Sequence, residues 1–579
     1  MPKLLFKDVD EKEIGKTIQE NQKELERIRL DFEDIKQSSV DLSLPIRGEV
    51  GDYMPGSAEG QGRGQKRGYD IYDDETVVNL EILVNGMQGM HVSPAFPWFL
   101  GEFYEKELRE ENDVKDFFRD ASEVIIDVLR RSETFYSSIG AVFADAFGPG
   151  DGCIHIEPNL PNMSVEAIVP NLWQMYYSRD AFGKLAGSHR VYKMTAVQIK
   201  EESLKPGSDF IVPDDVTKAL RQGKQFQEFE LINAVYPNSD FDPRLIGPEH
   251  MPWSSYTIYT KKDNGQLLES KGYNTMNPIP LSVYRASDQD YGVGITGKAI
   301  VTIGTANQLS KTMLNAADWE SNPAWKLNAG LGPNAELWPG GRTLVDDMKK
   351  ESVEAIQTNI RWQVSDAERE RITAMIRAHF MVDLLKQYSM LDKDMRVLEL
   401  EQMMGENATQ ISAFMGIING FLDKVLDRVF DIAWRAGWLP PLPQILVDFL
   451  LLPPEEIGPQ PKRKMLIDYV GPLMQRQKRM FETQPIQMGL ATSAPILERF
   501  PASQDLIDGD ELLKINLNAH HFPTEAMRDE DVVAQMREQR AIDKQMAMAG
   551  EMAEKAAKLV PALQGETAEG SPLAELGAA

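Results

Sequence analysis

Few residues of this chain are of types and spacings that do chemistry. Asp288 and Asp290 form a D-x-D, in which paired carboxylates can hold a hard cation such as Mg2+. They also stand just before a helical run, where acids favour the positive end of a helix dipole. Cys153 and His155, two apart, share one face of a strand. A thiol and an imidazole without further ligands make a poor metal site. His520-His521 falls in an expected turn between helices, and Gly292-x-Gly294 opens a helix without the rest of a dinucleotide fingerprint. The motifs G-x-x-x-x-G-K-S/T, H-E-x-x-H and G-x-S-x-G are all missing. These observations lead us to expect no catalytic set, no cofactor and no metal.

The elements are more informative than the chemistry. The chain is 26% charged, yet Gly292 to Ala317 carries only Lys298 and Lys311. Ile295, Ala299, Ile303, Ala306, Leu309 and Met313 recur every three or four residues, one face of a helix. The other face is Gly, Thr, Asn, Gln and Ser. Such a run is too polar to span a membrane and too uncharged for a solvated helix. It suits close packing against neighbouring helices, either inside one large domain or between copies.

With 579 residues, 42% of them hydrophobic and 8% aromatic, several ordinary domains can be built. No apolar run reaches membrane-spanning length, and MPKLLFKDVDEKE lacks the apolar core of a signal peptide. One cysteine excludes an intrachain disulfide. The net charge of −27 opposes tight binding to nucleic acid. It does not oppose a wall past which DNA slides without being gripped.

Residues 1–36 read as a charged amphipathic helix with Ile14, Ile18, Asn21, Leu25, Ile28, Phe32 and Ile35 on a 3.5-residue seam. That seam suits either the chain's own core or a coiled-coil partner. Residues 48–68 hold seven glycines with Arg63, Lys66 and Arg67, a flexible insertion or a nucleic-acid contact. Residues 73–147 read as helices. From about 150 to 285, β-branched and aromatic runs (164–169, 190–197, 228–236, 255–260, 281–285) predict an antiparallel, sandwich-like sheet. Residues 320–345 read as loops with short strands. A helix follows from about 348 to 385, then a break at 386–396. A long helix over 397–436 carries Ile411, Met415, Ile418, Leu422, Val425, Val429 and Ile432 in strict 4–3 spacing. Gly405, Gly416 and Gly420 inside it call for a bend or a close helix contact. A Pro-rich linker (440–461) precedes helices at 464–490, 494–500, 509–517 and 524–556 and a small acidic tail expected to be disordered.

The order of these segments resembles the portal, or head-to-tail connector, proteins of short-tailed bacteriophages, across roughly residues 20–545. The resemblance rests on Tyr291-Gly-x-Gly with Asn307, Leu309 and Ala316-Ala317, on Met395–Glu401 leading into the long helix, and on Tyr469-x-Gly-Pro-Leu with Gln475, Gln477 and Arg479. Ile71–Thr76 and Trp98-Phe99 are similar to the family's N-terminal region. It implies an α+β, mainly α chain that forms a ring, usually of twelve copies, at one capsid vertex. The implied parts are a wing (37–290), a first stem helix (291–318), a clip (319–364) and a second stem helix (365–385). A tunnel loop (386–396), a long wing helix with its linker (397–460), a crown (461–546) and a C-terminal tail (547–579) complete them. Gly294, Gly297, Ala299, Gly304 and Ala306 would then pack stem helices of adjacent copies. Lys386, Lys393 and Arg396 would form a collar making weak, sequence-blind contact with phosphates. The implied partners are other copies, double-stranded DNA, the major capsid protein, the packaging terminase and a tail adaptor, with no membrane. The implied place is the virion's portal vertex, and the host cytoplasm during assembly. Two alternatives compete: a metal-dependent nuclease or hydrolase using Asp288 and Asp290, and a scaffold without a channel built by coiled coils at 14–35 and 411–432.

Overall fold

The computed structural model describes residues 11–48, 71–322 (with short gaps at 110, 206–207, 239–240, 242–246 and 261–264), 325–327, 353–355, 362–389, 397–451, 465–470 and 530–563, with scattered positions between 486 and 513. The chain divides into two compact units, Met1–Gln477 and Lys478–Ala579.

The first unit opens with α1 (Glu11–Ser43) and a 3-10 turn at Pro45–Arg47. Next come α2 (Glu75–His91), β1 (Phe99–Phe103), α3 (Lys106–Arg109), α4 (Asn112–Arg131) and α5 (Phe135–Phe147). The strands β2 (Asp151–Asn159), β3 (Ser164–Ile168), β4 (Met175–Arg179) and β5 (Leu185–Thr195) precede two short helices, α6 (Ala196–Ser203) and α7 (Asp214–Arg221). Then follow β6 (Glu228–Pro237), β7 (Trp253–Tyr259), β8 (Gln266–Tyr273) and β9 (Ile279–Ser282). Beyond them lie α8 (Ile295–Lys298), α9 (Ile300–Ser321), the paired strands β10 (Trp325–Leu327) and β11 (Val353–Ala355), α10 (Trp362–His379) and α11 (Val382–Ser389). The unit closes with α12 (Val397–Arg435), α13 (Gln444–Leu451) and β12 (Met465–Tyr469). The second unit contributes α14 (Glu530–Leu563).

Strands β4 to β8 form an antiparallel meander in which Val191 pairs with Ile232 and Ile232 with Ile258. Successive side chains point to opposite faces of a strand. One face, with Val191, Ile232, Ala234 and Ile258, receives Ile14, Ile18 and Leu25 of α1. The other, with Phe229, Leu231 and Tyr259, receives Ala196, Ile199 and Val216 of α6 and α7. A separate three-stranded sheet, ordered β3-β2-β9, belongs to the main core with α2, α4, α5, α9 and α12. Each sheet packs on helices, so the sandwich expected from the strand pattern is replaced by two sheets with helical covers.

Several expected boundaries change. The N-terminal helix runs to Ser43, and its seam docks on the chain's own sheet. Phe99–Phe103 is a strand, paired with Met465–Tyr469, where both segments read as helix or break. The Pro-rich linker contains a helix, Gln444–Leu451. Met415, Ile418, Leu422, Val425, Val429 and Ile432 are buried in the main core, while the side chain of Ile411 lies outside the described residues. Among the described residues nothing lies within 4 Å of a Cβ at Gly416 or Gly420, so no close helix contact among them accounts for these glycines. The Gly-rich segment beyond Gly48, most of 319–364 and the tail after Leu563 also lie outside the described residues.

Candidate functional site

The uncharged run identified in the sequence is the helix pair α8–α9, interrupted at Ala299 (φ −94°, ψ 10°). Ile295, Ala299, Ile303 and Ala306 are buried, and Leu309 and Met313 are half-buried. Ile295, Ala299, Ile303, Ala306 and Leu309 share the main core with Ile372 and Ile376 of α10 and with Phe380 just beyond it, so the three-four spacing reports the inner face. Burial fades along both helices. Residues 314–320 of α9 are exposed save half-buried Ala316, and 366–371 of α10 are all exposed. The two helices therefore leave the core together and run outward toward the β10–β11 pair.

The root of this projection is a crossing of two glycine turns. A Cβ on Gly294 would lie 1.8 Å from the carbonyl oxygen of Gly148, and one on Gly292 would lie 2.5 Å from that of Val283. Gly150, with φ +118°, faces the Gly292 carbonyl at 2.4 Å from its own would-be Cβ. Only residues without a side chain let these backbones touch. Gly297 packs on α1, where a Cβ would meet Ser39 Oγ at 3.3 Å and Ile35 Cδ1 at 3.8 Å. The close contacts of Gly292, Gly294 and Gly297 are thus made inside the chain. Gly304 differs: among the described residues nothing lies within 4 Å, and with Val301, Thr305, Gln308 and Thr312 it lines an open groove.

A buried ion pair ties the root to α1 and β2. Lys36 Nζ lies 2.6 Å from Asp151 Oδ2, with 3% and 4% of the two side chains exposed. Asp151 also accepts from the Gly292 N–H at 3.0 Å and from the Ser282 hydroxyl. Lys36 stands 5.5 Å from the centre of the Tyr291 ring, and the Tyr291 hydroxyl accepts from the Tyr177 N–H at 3.2 Å. Tyr291-Gly-x-Gly is therefore a socket: an aromatic plug, two backbone crossings and a neutralised charge. Sequence reasoning missed Lys36 and Asp151. The available signal was a lone acid in the turn Gly148-Pro-Gly-Asp-Gly152.

Further up, the Tyr72 N–H donates to Asn307 Oδ1 at 2.6 Å and the Ser310 hydroxyl donates to Asp73 Oδ2 at 3.0 Å. Arg377 of α10 bonds Glu75 at 2.8 Å. The Ile71–Thr76 segment and Asn307 meet on the projecting helix.

The second helix is interrupted at Phe380 and Met381, where Met381 takes φ +54°. Lys386 lies on α11, which continues to Ser389, so the expected loop at 386–396 begins later than its sequence suggests. Lys393 and Arg396 lie outside the described residues, as do His520 and His521.

The D-x-D is structural at Asp290. Its carboxylate accepts from the Arg179 N–H at 3.0 Å, and its carbonyl accepts from Arg179 Nε at 2.8 Å. Burial raises the Asp290 carboxyl, against the pull of Arg179. Asp288 is exposed. Cys153 is buried beside Met175, Tyr177 and Tyr291, and burial pushes its thiol up to about 12. His155 bonds Glu157 at 3.0 Å. Burial alone would raise the Glu157 carboxyl, but His155, Arg428 and Tyr273 together hold it down at about 2. Arg428, only 2% exposed on α12, donates to the Ile156 carbonyl at 3.2 Å. Among the described residues no group of three or more His, Cys, Asp or Glu is placed to hold a metal ion. No described helix is long and apolar enough to cross a membrane.

The fold is α+β, mainly α, with a pair of helices leading outward from a glycine-rich socket. The chain belongs to the bacteriophage head to tail connecting protein family, whose profile matches residues 15–527. It is 23% identical over 518 residues to a probable portal protein of Bordetella phage BPP-1, covering 86% of this chain and 88% of that protein. It is 22% identical over 507 residues to the portal protein of Salmonella phage epsilon15, covering 86% of each. Among solved structures it is similar to a chain in the neck of a native gene transfer agent particle, at 11% identity and TM-score 0.31, covering 71% of this chain and 85% of that one. A chain of the gene transfer agent virion gives 11% identity and TM-score 0.29, covering 57% and 71%. Scores this low carry no argument about function.

Proposed function

We propose that this chain is a portal protein. Copies of it close into a ring, of twelve by family analogy, at one capsid vertex, and double-stranded DNA passes through the ring during packaging and ejection. The observation that carries this reading is the family match over residues 15–527, with two relatives named as portal proteins that align along 86% of the chain. In this reading α8–α9 and α10 are the stem, the β10–β11 region belongs to the clip, and residues after Ser389 form the tunnel loop with Lys393 and Arg396. The chain works without chemistry of its own, beside a separate packaging terminase, the major capsid protein and a tail adaptor. The open groove around Gly304 supports packing of one stem against the next. In a rotationally symmetric ring one face meets a different face of the next copy.

Negative-stain electron microscopy with mass photometry on the same purified sample tests the proposal. Closed rings with a central hole wide enough for duplex DNA are expected. Elongated, unclosed oligomers would favour a scaffold and overturn the channel.

A further inference from the structure

Beneath the socket lies a small cavity. Arg29 and Lys36 of α1, Asp151 and Cys153 of β2, Tyr177 of β4 and Tyr291 line it, and all six are buried. It leaves about 10 Å³ for the centre of a water-sized sphere. One water needs roughly 10–15 Å³ by that measure.

Arg29 has a donor to spare there. Its side chain is only 1% exposed. Nε donates to Glu33 Oε1 at 2.8 Å and Nη1 donates to the Trp173 carbonyl at 2.6 Å. Nη2 is buried and meets no acceptor among the described residues. The Tyr176 ring lies 3.9 Å from Cζ and offers its face to the charge. The Tyr176 hydroxyl stands near the guanidinium without meeting hydrogen-bond geometry. A buried N–H left unbonded loses its hydration with nothing in return, which native interiors almost always avoid.

The other polar groups of the cavity restrict what can answer Nη2. Lys36 has all three N–H groups engaged, on Asp151 and on the carbonyls of Pro149 and Gly292. The Tyr177 hydroxyl and the Cys153 thiol bond each other. The Tyr291 hydroxyl accepts from the Tyr177 N–H and keeps its own proton to donate. The charges are already balanced, Arg29 by Glu33 and Lys36 by Asp151. An anion would add an uncompensated buried charge, far costlier than a neutral polar molecule.

We infer that this cavity is a binding site for one internal water, which accepts from Arg29 Nη2 and joins it to the Tyr291 hydroxyl. Arg29 and Lys36 are seven residues apart and so share one face of α1. Lys36 grips Asp151 directly, and Arg29 grips Tyr291 through the water, so α1 holds the Tyr291-Gly-x-Gly socket at two points. The water lies within a single chain and does not depend on the ring.

A structure of the full chain at a resolution that shows ordered water tests this, with paired samples in sodium chloride and sodium bromide. One peak within hydrogen-bond reach of Arg29 Nη2 and Tyr291 Oη, equal in both salts, is expected. An empty cavity would overturn the assignment. A peak that strengthens in bromide would mark an anion and overturn it as well. Cys153→Met supplies a second readout, because its longer side chain occupies the cavity. Displacing a bound water strands Nη2, so the peak should vanish and the unfolding midpoint in denaturant should fall. A midpoint at or above that of the wild type, as when a dry cavity is filled, would show that no water was displaced.

Discussion

Lys36 and Asp151 form the buried ion pair at the root of the projecting helices. Taking two charges out of water costs several kcal/mol per ion, offset here by a 2.6 Å pair and by the bonds Asp151 accepts from Gly292 and Ser282. Removing one partner leaves the other buried and uncompensated. Lys36→Met should therefore destabilise the chain by about 3–5 kcal/mol, read as a lowered unfolding midpoint in denaturant. A loss of less than about 1 kcal/mol, as for an exposed pair, would refute this account. Asp145 behaves in the opposite sense. Burial lifts its carboxyl from 3.8 to about 6, despite the Arg47 guanidinium 2.7 Å away. The folded state thus holds that proton more tightly than the unfolded chain does. Its contribution is full below pH 3.8 and is lost as pH rises through about 6. Asp145→Asn should gain on the wild type between pH 4.5 and 7 by up to about 3 kcal/mol, measured as paired unfolding curves at each pH. A difference that does not move with pH would exclude the effect.

At the scale of elements, the glycines of the uncharged run separate into two groups. Gly294 touches the backbone of Gly148, which cannot yield, so Gly294→Ala should lose folded protein. Gly304 sits mid-helix in open space. Gly304→Ala should stabilise the isolated chain by up to about 1 kcal/mol through helix propensity, whereas Gly304→Trp should leave the chain folded and impair oligomerisation. Thermal unfolding and mass photometry distinguish these outcomes, and normal oligomers from Gly304→Trp would free the groove of any assembly role. The seams at 14–35 and in α12 are instead consumed by the chain's own cores, which leaves little apolar surface there for a coiled-coil scaffold.

For the whole molecule, charge is the dominant constraint. A surface at −27 holds DNA off, so passage needs only sparse cations to guide phosphates. Under the ring proposal each copy places Lys393 at the channel, and the substitution Lys393→Glu should leave rings intact while impairing DNA packaging or retention. Unimpaired packaging and infectivity in that variant would count against a guiding role for the loop.

The sequence by itself determined the periodic elements. The 4–3 spacing of α12, the apolar stripe of α9 and the strand runs at 164–169 and 228–236 are local patterns, and the segments formed where these patterns stand. The family resemblance was also legible, because Tyr291-Gly-x-Gly and Tyr469-x-Gly-Pro-Leu keep their order. Only the tertiary structure decided what those motifs do. Tyr291 plugs a socket closed by Gly148, Gly150 and Asp151, about 140 residues away. Tyr469 stacks on Trp98, and its hydroxyl donates to Asp423 at 2.7 Å. Met465–Tyr469 is a strand because Phe99–Phe103 offers it an edge, and β pairing between distant segments leaves no periodic trace strong enough to outweigh local helix propensity. Lys36 reads in sequence as one more charge on an amphipathic helix, and its burial follows from the arrival of Asp151 from another element. Ion pairs, backbone crossings and strand partners are long-range contacts, and a pattern read along the chain does not contain them.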